Sequence, residues 1–155
     1  MIEIEIEDPS WVEVDENLEA LARISAAAAL SKFAACGDVA ILLTDDGKLA
    51  ELNATFRKQA KPTNVLAFPA GEGADNHLGD IALAFGVCAG EAKAQGKSMA
   101  AHLQHLVTHG VLHLLGYDHE TDAQASEMEG LERVILAGLG VCDPYAAERG
   151  DDGKF

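Results

Sequence analysis

The eleven residues from His109 to His119 constrain the fold of this chain most strongly, because they place three histidines at spacings of four and six in the order HGVLHLLGYDH. If the residues up to about Leu115 are helical, His109 and His113 lie one turn apart on one face, about 6 Å along the axis. A left-handed backbone at Gly116 would end the helix and turn His119 back toward that face. The sequence therefore predicts three ligands of a tetrahedral zinc site at a helix end and the following turn, with the fourth position open.

The histidines alone do not fix the identity of the metal. Imidazole suits zinc, copper, nickel and iron, and zinc is favoured for its tolerance of this geometry and its prevalence in hydrolases. A purely structural histidine cluster is the alternative. The spacing is close to that of the HExxH zinc proteases, but Gly110 stands where those enzymes carry the glutamate that acts as general base. The stretch thus keeps the ligands of a zinc protease without its base.

The hydrophobic pattern of the rest of the chain predicts one α+β domain over residues 1–145, in which a small mixed sheet of about four strands packs against about five helices. Strands are expected at 2–6, 39–43, 65–68 and 79–85, and helices at about 15–33, 48–57, 86–95, 98–115 and 120–139. The last helix is predicted to expose three glutamates on a solvated face, Glu127, Glu129 and Glu132. Residues 146–155 have no apolar periodicity and are expected to form a flexible tail.

The formal net charge of −15 argues against binding nucleic acid by broad electrostatic attraction. Any such contact must then be local, and the one tight group of basic residues is Arg57, Lys58 and Lys61. Three widely spaced cysteines suggest neither a disulfide framework nor a thiolate zinc site, which predicts a reducing, cytoplasmic setting. No segment has the length and apolar character of a membrane span or signal peptide, so no membrane association is expected.

The sequence from His109 to His119 resembles the HGxLHLxGYDH signature of the YbeY family, the bacterial metal-dependent endoribonucleases that act in ribosomal RNA maturation. Three upstream segments are similar to the family's LNxxxR, KPTDVLSFP and LGDI elements, in the same order: LNATFR at 52–57, KPTNVLAFP at 61–69 and LGDI at 78–81. Two departures are visible, Asn64 where Asp is usual and Ala67 where Ser is usual. Both are expected to alter hydrogen bonds near the cleft without touching a metal ligand.

The resemblance implies that His109, His113 and His119 bind one Zn²⁺ per chain and that Arg57 is the active-site arginine. It implies a single-strand-preferring endoribonuclease that takes part in small-subunit ribosomal RNA maturation and ribosome quality control. Its partners would be ribosomal or other single-stranded RNA, with ribosomal proteins or assembly factors as further candidates. A guanidinium suits this role, because it can donate two hydrogen bonds to phosphate oxygens.

Five further residues have weaker functional interpretations. Lys58 and Lys61 could contact phosphate or simply be solvated. Asp80 could belong to a turn or could hydrogen bond to the loop of the metal site. Asp118 could orient a ligand imidazole or cap the last helix. His105 could be a fourth ligand, although a contact with substrate or with a ligand histidine is favoured.

Two other functions stay open at this point. A zinc metalloprotease-like hydrolase is supported by the ligand spacing and disfavoured by Gly110. A non-catalytic ribosome-assembly factor with structural zinc is supported by the acidic composition, which favours basic ribosomal proteins over bare RNA.

Overall fold

The computed structural model of the chain describes residues 1–57, 63–71 and 76–145. Over these ranges the chain forms four strands and six helices: β1 Ile2–Ile6, α1 Ser10–Val14, α2 Leu18–Lys32, β2 Asp38–Thr44, α3 Asp46–Arg57, β3 Val65–Pro69, β4 His77–Ala84, α4 Phe85–Gln95, α5 Met99–Leu114 and α6 Asp122–Gly138. The tail expected at 146–155 lies outside the described residues. The single α+β domain predicted from the pattern is confirmed.

The sheet is mixed, with the strand order β1-β2-β4-β3. β1 and β4 flank β2 in parallel, and β3 runs antiparallel to β4 at the other edge. The alternation IEIEI of β1 gives half-buried isoleucines and exposed glutamates, as an edge strand requires. The continuous apolar run of β2 occupies the interior of the sheet, where helices cover it.

Helices cover the two faces of the sheet unequally. On one face, Ile41, Leu43, Ile81 and Leu83 join the main core with α2, α5 and α6. On the other face, α3 packs over a smaller cluster formed by Leu49, Leu66, Ala82 and Ala84. The uncovered part of this second face is a groove of about 860 Å³, at which Phe56 is 63% exposed. The helix that carries the histidines therefore lies on the well-covered face.

Two local predictions were wrong. No helix was predicted between the strand at 2–6 and the helix at about 15–33, but α1 forms there, and its five residues are too few to show helical periodicity. Its Trp11 is fully buried and its Nε1 donates to the carbonyl of Thr44 at 2.9 Å, so a tertiary contact stabilises this turn. Phe85 was expected to end a strand, but it begins α4 and packs edge-on against Trp11.

Gly79 allows β4, β3 and the end of α5 to approach one another closely. Its φ of +155° lies in a region that other residues rarely adopt. A Cβ atom here would lie 2.5 Å from Leu114 Cδ2 and 2.5 Å from the carbonyl oxygen of Phe68. Glycine at this position therefore sets how deeply the histidine helix is seated on the sheet.

Candidate metal centre

Helix α5 begins and ends where the sequence predicts. The side chain of Ser98 caps its first turn by accepting from the backbone N–H of Ala101 at 3.0 Å. At the other end, the N–H groups of Gly116 and Tyr117 donate to the carbonyls of His113 and Leu112, which is a Schellman motif. Gly116 supplies the positive φ of +102° that this motif needs. The helix end is thus fixed by local sequence.

The turn after Gly116 brings the third histidine to the first two. The ring of His119 has its centroid 5.4 Å from that of His109 and 5.0 Å from that of His113. One nitrogen from each of the three rings lies within 4.8 Å of the others. Among the described residues this is the one group of three or more His, Cys, Asp or Glu side chains that could hold a metal ion. The predicted three-histidine cluster is therefore present.

His113 is oriented by the turn that follows its helix. Its Nδ1 donates to the carbonyl oxygen of Tyr117 at 2.9 Å, which leaves Nε2 facing the cluster. Burial is the main cause that lowers its pKa below the usual value, and the neighbouring His109 and His119 lower it further. The ring is accordingly neutral at pH 7, the form that binds a metal.

His109 is oriented by Glu132 of α6, a residue whose role the sequence interpretation missed. The carboxylate is fully buried, and its Oε2 accepts from His109 Nδ1 at 2.6 Å. Its Oε1 accepts from His105 Nε2 at 2.9 Å and from the hydroxyl of Tyr145. The prediction that Glu132 lies on the solvated face of the last helix was wrong.

The pKa of Glu132 shows that these contacts hold it ionised. Burial alone would raise the pKa, but the hydrogen bonds and electrostatic attraction of the His105 and His109 rings outweigh burial and lower it to about 2. An ionised carboxylate accepts hydrogen bonds and cannot donate them. Glu132 therefore fixes the proton of His109 on Nδ1 and turns Nε2 toward the other histidines.

The donor atoms of the cluster fit a divalent metal ion. Both Nδ1 atoms of His109 and His113 donate to oxygen acceptors, so in the neutral rings each Nε2 carries a lone pair. The two Nε2 atoms lie 3.0 Å apart, where two lone pairs repel unless a cation lies beside them. Tetrahedral zinc with bonds of about 2.05 Å separates neighbouring nitrogens by about 3.3 Å. The spacing of the His109–His113 pair is close to that value, and the nitrogen of His119 lies within 4.8 Å of both.

The cluster opens into a cleft of about 700 Å³ between α5 and the edge strand β3. One wall contains His109, Gly110 and His113, and the other wall runs along residues 63–67. Both departures from the family pattern, Asn64 and Ala67, lie in this second wall. The cleft is therefore bounded by the helix of the histidines on one side and by the start of β3 on the other.

Gly110, which stands where HExxH proteases carry their glutamate, allows close packing of α5 on the sheet. A Cβ atom at this position would lie 3.0 Å from both Cδ1 and Cγ2 of Ile81, because α5 sits directly on β4. A glutamate side chain here would begin in the core of the sheet. The geometry therefore disfavours the base of an HExxH protease.

Three of the residues with weaker predicted roles, His105, Asp118 and Asp80, lie in different parts of the structure. His105 contacts Glu132 and lies outside the three-residue cluster. Asp118 accepts from the backbone N–H of His119 at 2.8 Å, and the cap of α6 is Thr121 with Gln124. Asp80 accepts from His77 at 3.2 Å and lines the groove on the opposite face of the sheet.

The structure describes only part of the predicted group of basic residues. The backbone of Arg57 ends α3, and its side chain is not among the described parts of the chain. Lys58 and Lys61 both lie outside the described residues. Their roles therefore stay predictions.

Comparison with known proteins gives a family for this chain. The model of the family described as Endoribonuclease YbeY matches residues 3–140. Endoribonuclease YbeY of Maricaulis maris is 49% identical over 148 residues, which cover 95% of this chain and 92% of that protein. The same-named protein of Paramagnetospirillum magneticum is 44% identical over 158 residues, covering 95% and 96%.

A solved structure agrees with this match. The solution structure of TM1509 from Thermotoga maritima aligns over 100% of both chains with a TM-score of 0.57 and 26% sequence identity. The fold, the histidine cluster and the similarity over nearly the whole length of the relatives agree with one another. The chain belongs to the YbeY family of endoribonucleases.

Proposed function

We propose that this protein is a zinc-dependent endoribonuclease that cleaves single-stranded RNA during maturation and quality control of small-subunit ribosomal RNA. The observation that carries the proposal is the convergence of His109, His113 and His119 in an open cleft of a YbeY family member. The cleft is bounded by an edge strand and leaves one side of the cluster accessible to a substrate. A metal site with an accessible position is typical of catalytic rather than structural zinc.

The three histidines would hold one Zn²⁺. Bound zinc supplies a Lewis acid for a phosphate oxygen and lowers the pKa of water to about 7. The protein prepares this site in advance, because Glu132 and the carbonyl of Tyr117 hold two of the rings with their Nε2 atoms toward the cluster. Whether the ribose 2′-hydroxyl or water attacks the phosphate is decided by the products, which are either cyclic or open phosphates.

Arg57 would bind the scissile phosphate and stabilise the charge that builds on it. The described residues that line the cleft include Asp118 and Glu120 but no lysine or arginine. Positive charge for the phosphate would then come from the 57–61 segment, which leads directly into Thr63 and Asn64 of the cleft wall. Lys58 and Lys61 would add phosphate contacts there.

The experiment that tests this function measures metal content and RNA cleavage on the same purified proteins. His119→Ala should lose its zinc and its cleavage activity together. Arg57→Ala should keep its zinc and lose cleavage, and Arg57→Lys should recover little, because an ammonium cannot donate the paired hydrogen bonds of a guanidinium. Lys48→Ala, which removes a cation from the groove on the other face, is the matched control and should cleave normally.

Three results would overturn the proposal. Equal zinc content in the wild-type and His119→Ala proteins would remove the three-histidine site. Undiminished cleavage by Arg57→Ala and His113→Ala would show that a contaminant cleaves the RNA, and a non-catalytic role in ribosome assembly would then be favoured. Chelator-sensitive peptide cleavage would instead support a protease, against the packing seen at Gly110.

Partners and location follow from the same proposal. The net charge of −15 suits contact with basic ribosomal proteins or assembly factors beside the RNA. None of the helices in the described part of the chain combines the length and apolar character needed to cross a membrane. All three cysteines are free thiols, which agrees with the cytoplasmic setting we propose.

A further inference from the structure

One carboxylate outside the metal centre connects the two walls of the cleft. Glu91 of α4 accepts from Asn64 Nδ2, at 3.1 Å to Oε1 and 3.3 Å to Oε2. The same Oε1 accepts from His102 Nε2 at 2.8 Å. Asn64 belongs to the β3 wall, whereas His102 lies two turns before His109 on α5. A single side chain thus joins the strand wall to the helix that carries the metal ligands.

The direction of each hydrogen bond in this connection is determined by chemistry. Because a carboxylate only accepts, Asn64 must present its NH₂ group and His102 its Nε2–H to Glu91. His102 is 4% exposed, and burial is the main cause that lowers its pKa, so it is a neutral donor. The amide oxygen of Asn64 accepts from the N–H of Val65 at 2.6 Å. Both ends of the Asn64 amide therefore have a defined partner.

The main chain of Asn64 is also held from the α4 side. Its carbonyl oxygen accepts from the N–H of Ala84 at 3.0 Å and from the thiol of Cys88 at 3.5 Å. Backbone and side chain together attach the start of β3 to the junction of β4 and α4. In the sequence, Arg57, Lys58 and Lys61 shortly precede this point.

We propose that Glu91 is a positioning residue, which sets the separation of the two cleft walls through Asn64 and His102 and thereby controls how RNA is seated at the metal centre. The inference rests on the proposed function. Glu91 touches neither a ligand histidine nor the cluster, so it acts on substrate binding and not on metal binding.

A reversal of one hydrogen bond tests the connection. Asn64→Asp introduces the residue that is usual in the family at this position. In this chain Glu91 accepts its hydrogen bond from the Asn64 amide, so a second carboxylate about 3 Å from Glu91 should repel it and raise KM about tenfold while kcat changes little. Glu91→Gln alone should raise KM about threefold, because a neutral amide accepts more weakly than a carboxylate. When Asn64→Asp and Glu91→Gln are combined, the amide NH₂ introduced on α4 donates to the carboxylate introduced on the β3 wall, and the amide oxygen still accepts from His102. The double variant should therefore return to the KM of Glu91→Gln.

Controls separate this role from general destabilisation. Asn17→Asp adds the same charge at an exposed position before α2 and should leave KM unchanged. Zinc content should be equal in all variants, and assays are run well below the melting temperature of each. Additive effects of the two substitutions, or loss of zinc in Asn64→Asp, would overturn the inference.

A readout without RNA keeps the inference distinct from the proposed function. Amide hydrogen exchange of residues 63–69 should be faster in Asn64→Asp and return to the wild-type rate in the double variant. If the wild-type protein fails to cleave RNA, the proposed function fails, and exchange decides whether the connection exists. If cleavage is normal and exchange in Asn64→Asp is unchanged, the inference alone is wrong.

Discussion

The two walls of the cleft are both held by a carboxylate from a neighbouring helix, but they differ in how deeply that carboxylate is buried. Glu132 of α6 holds the α5 wall and is fully buried, with donors from two histidines and a tyrosine. The side chain of Glu91 of α4 holds the β3 wall and is 34% exposed. Desolvated hydrogen bonds to charged groups are stronger than partly solvated ones. The difference indicates that the α5 wall, which carries the metal ligands, is held rigidly, whereas the β3 wall, which would contact the substrate, is held more weakly.

The largest effect is expected when a ligand is removed from the α5 wall. His113→Ala should lower zinc content to background and RNA cleavage about a hundredfold or more, because the Lewis acid is lost. Thr63→Ala, in the opposite wall, should keep its zinc. Metal analysis and initial cleavage rates measure both. Loss of zinc in Thr63→Ala would show that the two walls do not have separate roles.

A smaller effect is expected from the carboxylate behind the ligand. Glu132→Gln keeps the size of the side chain but weakens the acceptor of His109, and zinc affinity should fall about 10- to 100-fold. Glu91→Gln should leave zinc affinity unchanged. Competition with a chromophoric chelator compares the two. Equal losses would mean that both carboxylates serve the metal, and the contrast between the walls would be wrong.

Packing beneath the α5 wall should have an effect on stability. Gly110→Ala forces a methyl group to 3.0 Å from Ile81 and should destabilise the protein by about 1–3 kcal/mol. Gly130→Ala on α6 meets no atom within 4 Å and should stabilise it by about 0.5–1 kcal/mol. Urea unfolding of the two variants gives both values. A neutral Gly110→Ala would show that α5 can shift on the sheet.

The smallest effect concerns the pH dependence of the β3 connection. The pKa of His102 is lowered in the folded protein by burial, which outweighs Glu91, while His105 and Lys97 lower it further. As the pH falls, His102 is therefore protonated in the unfolded chain before it is protonated in the folded protein. The stability that the neutral His102 contributes is present above about pH 6.5 and is lost as the pH falls below that value. In chelator, His102→Gln should show a shallower loss of unfolding free energy between about pH 7 and about pH 5. An unchanged slope would contradict a buried neutral His102.

Features encoded by local sequence could be predicted. The end of α5 needed only the helical spacing of His109 and His113 and a glycine at position 116, and the three-histidine cluster followed from them. The capping box of α6 was also visible, since Thr121 and Gln124 stand at the required spacing, although Asp118 was considered as the cap instead.

Features that depend on contacts between distant segments could not be predicted from the sequence. Glu132 lies between Met128 and Ile135 at helical spacing, inside the apolar stripe of α6, so a carboxylate in that stripe was a usable signal. Its partners on α5 were nevertheless not visible before the helices were docked. Asn64 and Glu91 are 27 residues apart, and no sequence pattern pairs them. Helix α1 likewise could not be predicted, because the tertiary contacts of the buried Trp11 stabilise it.

The exposed glutamates of β1 have a consequence for self-association. A strand at the edge of a sheet offers its free backbone groups to a second copy of the same chain. Glu3 and Glu5 alternate along this edge, so two copies placed strand against strand would bring like charges together. The same alternating pattern that marks β1 as half-buried thus discourages edge-to-edge aggregation at neutral pH.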